Sequence, residues 1–365
     1  MRAIEDLLRE LTAVPALAGR EDRMISVMRQ VFSALTRDVH VDRVGNVIVR
    51  VPGVRERPSL LIFAHMDELG LIVRKIDVDG FVRFERVGGM PEKSLLGQWM
   101  EVHTEDGRSL PGLVGVTSHH VTPAEKKSVV PSRLEMYLDV GCTSRAEVEA
   151  LGIRVGDSIT YRHGFGRLAG DRVAGKSLDN RIGCAVLIKT LEALVEEPPA
   201  GTVHLVASVQ EEFNVRGVWP AFQSIKPDAS ICLDVTIACD TPDTRDLAEM
   251  ALGKGPAIGA YEFHGRGTLG GLIPNPKLRR YLEDVARREG IPTQTEVLIG
   301  LITDAAFSQF LHEEGVPTAA LGIPIRYAHS SVETCSLSDI EAVIRLLTAA
   351  ARGFDERVDL SRGTP

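Results

Sequence analysis

Apolar residues at Ile4, Leu7, Leu8 and Leu11 recur with the period of an α-helix, and Met24, Met28, Val31 and Leu35 repeat that spacing after Gly19. Two amphipathic helices therefore open the chain. Asn46 to Val49 and Leu60 to Ala64 read as strands, and the second is apolar throughout, as a strand buried on both faces is. From Leu71 to Leu168 the helical period disappears, and short β-type runs alternate with turn signals such as Asp79-Gly80 and Asp106-Gly107. Helices and strands then alternate to the end. Helices are expected over Ile182 to Val195, Pro276 to Glu289, Ala305 to Glu314 and Leu337 to Ala351. Strands are expected over Val203 to Val209, Ser230 to Leu233, Thr295 to Leu298 and Thr318 to Leu321. This order predicts an α/β fold, a mixed sheet with helices on both faces, interrupted by a smaller all-β insert. The expected domains are a discontinuous one, residues 1–69 joined to 169–365, and an insert at 70–168 serving oligomerisation and pocket access.

Composition narrows the class without naming an activity. The 365 residues carry 44% hydrophobic and 25% charged positions, which excludes disordered, collagen-like and coiled-coil chains. A net charge of -8 without a basic run makes nucleic acid and anionic membranes poor partners. No apolar run approaches the ~20 residues needed to span a bilayer. Charges from Arg2 onward break any secretory apolar core, and five cysteines without a C-x-x-C pair suit reduced thiols, so a cytoplasmic location is expected.

The chemistry lies at the strand ends, where open α/β sheets bind ligands. His65 and Asp67 follow one strand, Glu211 and Glu212 a second, and Asp234 a third; Asp179 opens a helix, and His329 sits in a late loop. So many carboxylates at one edge repel each other unless cations compensate them. Two divalent ions sharing one carboxylate would resolve that conflict, and His plus carboxylate donors without Cys suit zinc first, with cobalt or manganese as alternatives. Taken singly, each residue has a plainer role: His-x-Asp is a weak signal, Asp179-Asn180-Arg181 can cap a helix, and adjacent glutamates in a regular strand point to opposite faces. For Glu211 and Glu212 to share a site, the strand must end before them, which Asn214 and Gly217 permit.

The stretches Ala64-His65-Met66-Asp67-Glu68-Leu69-Gly70, Gly175-Lys176-Ser177-Leu178-Asp179-Asn180-Arg181, Val209-Gln210-Glu211-Glu212, Leu233-Asp234-Val235-Thr236, Leu272-Ile273-Pro274-Asn275-Pro276 and Pro324-Ile325-Arg326-Tyr327-Ala328-His329-Ser330 resemble the tetrahedral aminopeptidases, glutamyl or deblocking dinuclear metallopeptidases, some of them labelled endoglucanases. The resemblance runs almost end to end. It implies a cytoplasmic zinc or cobalt metalloprotease that hydrolyses N-terminal residues from peptides. His65, Asp179 and Asp234 would hold one metal; Asp179, Glu212 and His329 would hold the other. Glu211 would be the general base toward the attacking water, Asp67 would orient His65, and Thr303 and Asp304 would contact substrate. A cis Asp179-Asn180 peptide and a homo-oligomer, up to a twelve-subunit shell, are also implied.

Two stretches depart from the family's pattern. Gly300-Leu301-Ile302-Thr303-Asp304 carries bulky residues where glycines are usual, so that loop is expected to take another path, and Asn214 replaces a glycine. Competing readings are a hydrolase of acylated or non-peptide amides, a glycan hydrolase and a non-catalytic assembly protein. Two Trp and five Tyr are few for a carbohydrate groove, and Glu211 is superfluous for pure binding. His119-His120 is expected to be exposed or at a subunit contact, Asp240, Asp243 and Asp246 to form an acidic turn, and Gly265 to Gly271 lacks the ending of a phosphate loop.

Overall fold

The structure, a computed structural model, describes residues 3–265 and 270–363. Four strands form the centre of a large mixed sheet, parallel in the order Val203–Ser208, Leu60–His65, Ala229–Ile237, Thr318–Arg326. Antiparallel strands extend both sides: Val47–Val51 and Val39–Val41 on one, Glu333–Ser336, Arg172–Gly175 and Phe165–Arg167 on the other. Alternation explains the layering. Leu60, Ile62 and Ala64 enter the core under helices Ile4–Thr12, Leu178–Glu196 and Leu337–Gly353, whereas Leu61 and Phe63 pack with Phe222 and Ala305 on the opposite face.

The chain leaves this sheet after Leu60–His65 and builds a closed barrel from Gly70–Ile76, Val82–Val87, Leu138–Asp139, Ser109–Val114, Trp99–His103 and Ser158–Tyr161. The barrel has its own core around Leu71, Phe84, Met100 and Ile159. It also carries a short helix, Arg145–Ala150, whose N-cap Ser144 accepts from the Glu147 amide. Phe165–Arg167, inside the span assigned by sequence to the insert, pairs with Arg172–Gly175 of the large sheet instead.

Two expectations need correction. The helix expected over Ala305 to Glu314 is only Ala305–Ser308, because the Ser308 hydroxyl bonds back to the Asp304 and Ala305 carbonyls and the chain then turns to bring the Val316 amide onto Gln309. Strands Ala229–Ile237 and Thr318–Arg326 run further than their apolar stretches, with Asp234 and Arg326 inside regular pairing. No helix among the described residues is long and apolar enough to cross a membrane. The five cysteines are free, four of them buried. His119 and His120 are exposed; Asp240 is held by Arg326 at 2.7 Å, and Asp243 accepts from the Thr241 hydroxyl. Of the glycine-rich stretch, Arg266 to Leu269 lie outside the described residues.

Candidate metal centre

Register alone brings the first residues together. His65 pairs with Ser208, and Cys232 pairs with Phe63, so the carboxyl ends of three parallel strands deliver His65, Asp234 and the loop after Ser208 to one place. That strand ends as the two glutamates require: Gln210 is left-handed at φ 56, and Asn214 and Val215 follow at 69 and 46. Four successive amides of this loop are taken up by side chains. Asn46 accepts from Val209, Glu21 from Gln210, and the two oxygens of Asp67 from Glu211 and Glu212, all at 3.0 or 3.1 Å. Buried amides need such partners, and here they hold the backbone that carries both glutamates.

Asp179 arrives on a helix entry instead of a strand. Ser177 is left-handed, the Asp179-Asn180 peptide is cis, and Asn180 caps the helix by accepting from the Gly183 amide at 2.9 Å. The Asn180 side chain also donates to the Leu233 carbonyl, tying the helix start to the strand of Asp234. Capping and site building therefore coexist in one tripeptide. Beneath it, the buried Glu68 accepts from the Ala16 amide, Lys176 and Ser177.

The geometry centres on Asp179. Its Oδ1 lies 3.1 Å from His65 Nε2 and its Oδ2 lies 3.4 Å from His329 Nε2. Asp234 Oδ1 is 3.6 Å from His65 Nε2, and Glu212 Oε1 is 4.0 Å from His329 Nε2. His65, Asp179 and Asp234 form one group with a ligand atom of each within 4.8 Å of the others; Asp179, Glu212 and His329 form a second, and His65, Glu211 and Glu212 a third. Both imidazoles turn Nε2 inward, because Nδ1 of His65 faces the Asp67 backbone carbonyl at 3.2 Å and Nδ1 of His329 faces the Gly89 carbonyl at 3.2 Å. Gly89 belongs to the barrel segment, and a side chain there would crowd the His329 ring.

Electrostatics state the same conflict from the charge side. Burial, followed by the charges of Asp234 and Glu212, pushes the Glu211 carboxyl well above the usual range; burial and Asp179 push Glu212 up to about 7. Burial opposes ionisation of Asp179, yet the two histidines hold its carboxyl below its ordinary value. Burial likewise opposes a charged His329, but Glu212 and Asp179 raise it to about 10. The histidines thus act as the main positive charges on the carboxylates of Asp179, Glu212 and Asp234. Glu212 Oε1 is also buried without a hydrogen-bond partner. Oxygen and imidazole donors, an orphaned carboxylate oxygen and an excess of negative charge fit divalent cations.

Sequence reasoning did not find Glu333. This buried residue accepts the Asp179 amide on Oε2 at 3.0 Å and the His329 amide on Oε1 at 2.8 Å. A lone carboxylate in the strand Glu333–Ser336, four residues after His329, was the available signal. Thr303 lines the cavity beside the site and donates to Glu262, whereas Asp304 is 2% exposed and accepts from Ser208.

A mixed sheet covered by helices, with histidines and carboxylates converging at the ends of its parallel strands, is the arrangement of a metal-dependent hydrolase. The chain belongs to the M42 glutamyl aminopeptidase family, whose model matches residues 45–346. It is 34% identical to the lysyl aminopeptidase of Pyrococcus furiosus, over 94% of this chain and 95% of that one. Among solved structures, an aminopeptidase of the archaeon Desulfurococcus kamchatkensis superposes with a TM-score of 0.92 at 35% identity, covering 99% and 98% of the two chains. The Pyrococcus horikoshii TET1 peptidase, described as assembling into a tetrahedron or a large octahedral shell, has a TM-score of 0.84 at 32% identity, covering 96% and 100%.

Proposed function

We propose that this aminopeptidase acts on peptides with a free N-terminus through two divalent ions, one held by His65, Asp179 and Asp234 and the other by Asp179, Glu212 and His329, with zinc the first candidate and cobalt or manganese next. The observation that carries this reading is Asp179, whose two oxygens face two imidazoles from distant parts of the chain. When bound, the ions supply Lewis-acid polarisation of the scissile carbonyl and of the attacking water.

The remaining work falls to the chain. Glu211 takes a proton from the attacking water and returns it to the leaving amine; its burial raises the carboxyl's hold on that proton. Asp67 fixes the His65 ring and, through the two amides it accepts, the positions of Glu211 and Glu212. Thr303 meets the substrate in the cavity, with Asp304 behind it.

Residues 70–168 act as an insert that shapes access and supports assembly into a homo-oligomer, up to a dodecamer. The shell-forming TET1 relative and the exposed Val116, Val121 and Val129 on the insert favour that assembly. Four buried free thiols favour a cytoplasmic setting.

Chelation followed by reloading with zinc, cobalt or manganese, with metal content measured, tests the site. Glu211→Gln should retain both ions and lose ~10²–10⁴-fold in rate; unchanged turnover would remove the base role. Free and N-acetylated peptides separate an aminopeptidase from an amidase acting on blocked substrates.

A further inference from the structure

The proposed metal ligands line a cavity of about 690 Å³ whose remaining wall carries a cluster of apolar side chains beside a few charged ones. Phe213 and Val215 enter it directly after the glutamates, Leu301 and Ile302 from the loop before Thr303, and Trp219 and Phe307 from two short helices. The Trp219 and Phe307 rings meet edge to face at 6.1 Å, and Phe213 and Trp219 remain 48% and 38% exposed, leaving contact surface for a ligand. The two bulky residues at 301 and 302, where the resembling family uses glycines, are part of this wall.

The charged lining groups outside the proposed centre each have a protein partner. Glu85 is paired with Arg133; Arg86 donates to the Met90 carbonyl at 3.0 Å and lies 3.3 Å from Glu92; His264 has interactions of its own. Arg216 stacks 4.7 Å from the centre of the Phe213 ring and does not line the cavity. Among the described residues, each charge on the wall already has a protein partner, so a lysyl or glutamyl side chain would compete with that partner for it. Placing either against the apolar residues would desolvate a charge without a partner there.

We propose that the substrates of this chain are peptides whose N-terminal residue is aliphatic or aromatic, selected by Phe213, Val215, Trp219, Leu301, Ile302 and Phe307. This rests on the aminopeptidase reading above and separates the chain from relatives named for lysyl or glutamyl substrates. The α-ammonium end is drawn to the carboxylates, while the side chain enters the apolar wall. A methylene in such a pocket gives roughly 10- to 200-fold discrimination, and rejecting an unpaired charge adds to that.

The test is a panel of aminoacyl p-nitroanilides with the metal-loaded protein, read as kcat/KM. Leucyl and phenylalanyl amides should exceed glutamyl and lysyl amides by about 10²-fold or more. Trp219→Ala and, independently, Ile302→Gly should lower the leucyl-to-alanyl ratio about tenfold. Free leucine should bind the metal-loaded protein in titration calorimetry at concentrations where free lysine and glutamate do not, a readout of binding apart from turnover. Glutamyl or lysyl amides cleaved as fast as leucyl ones would overturn the apolar preference while sustaining the aminopeptidase. Turnover of no free-amine substrate would overturn that reading and the preference with it.

Discussion

Replacing Glu333 by glutamine changes almost no volume and one chemical property. The carboxylate accepts two buried amides, those of Asp179 and His329, at 3.0 and 2.8 Å. Glutamine offers one oxygen and one NH2 group, so in either orientation one amide faces a donor. A buried donor left unpaired costs about 1–3 kcal/mol. His329 also sits in the left-handed region at φ 65, where a residue with a Cβ relaxes once its restraint is lost. Because the two amides belong to proposed ligands of the same centre, the loss should fall on ligand placement. Glu333→Gln should weaken metal binding ~10- to 100-fold, the range expected when a group supporting a ligand is lost. Competition with a chromophoric chelator measures this directly, and urea unfolding of the metal-free protein reports the cost to the fold itself. Metal affinity within twofold of the native chain, in a protein that unfolds normally, would refute the reasoning.

Lys176→Met should destabilise the fold by ~1–3 kcal/mol in urea unfolding, since Lys176 and Glu68 are paired at 2.5 Å with 2–3% exposed side chains while the carboxylate keeps the Ala16 amide, Ser177 and Arg181 as partners; an unchanged urea midpoint would count against it. Gly217→Ala should abolish activity or yield insoluble protein, because a Cβ at this site collides with the Val209 carbonyl and the loop holding Glu211 and Glu212 must shift; activity near native would show that the loop yields. Burial pushes both His103 and His204 down from 6.5 to about 4, so the unfolded chain takes up their protons first as pH falls. The stability they support is complete above pH 6.5 and is lost between 6.5 and 4, at most about 3 kcal/mol each. His204→Asn should flatten that loss in urea midpoints taken at pH 7.5 and 4.5, and an unaltered pH slope would exclude it.

Long periodic segments and uniformly apolar runs made the α/β frame readable, because burial on one helical stripe or on both strand faces leaves a direct imprint on sequence. Trp219–Ile225 is too short to show a period, Glu333–Ser336 is short and mostly polar, and Arg172–Gly175 is only four residues long, so they left none. Spatial convergence of His65, Asp179, Glu211, Glu212, Asp234 and His329 followed from strand ends and resemblance together. What the side chains do for each other's backbones was not legible. The hold of Glu333 on two distant amides, and of Asn46 and Glu21 on the Val209 to Glu212 loop, depends on folded geometry that spacing does not encode.

The barrel is threaded into the chain between His65 and Asp179, while His329 and Glu333 come near the end. This layout sets an order of assembly during synthesis. The barrel is closed by contacts between residues 70 and 161 and has a separate core, so it can mature as soon as that stretch is available. The proposed metal centre cannot, because its central aspartate needs partners on both sides of the detour and the last of them is made about 150 residues later. A partly synthesised chain therefore carries a finished barrel and an unassembled centre, so hydrolytic competence is acquired only near completion.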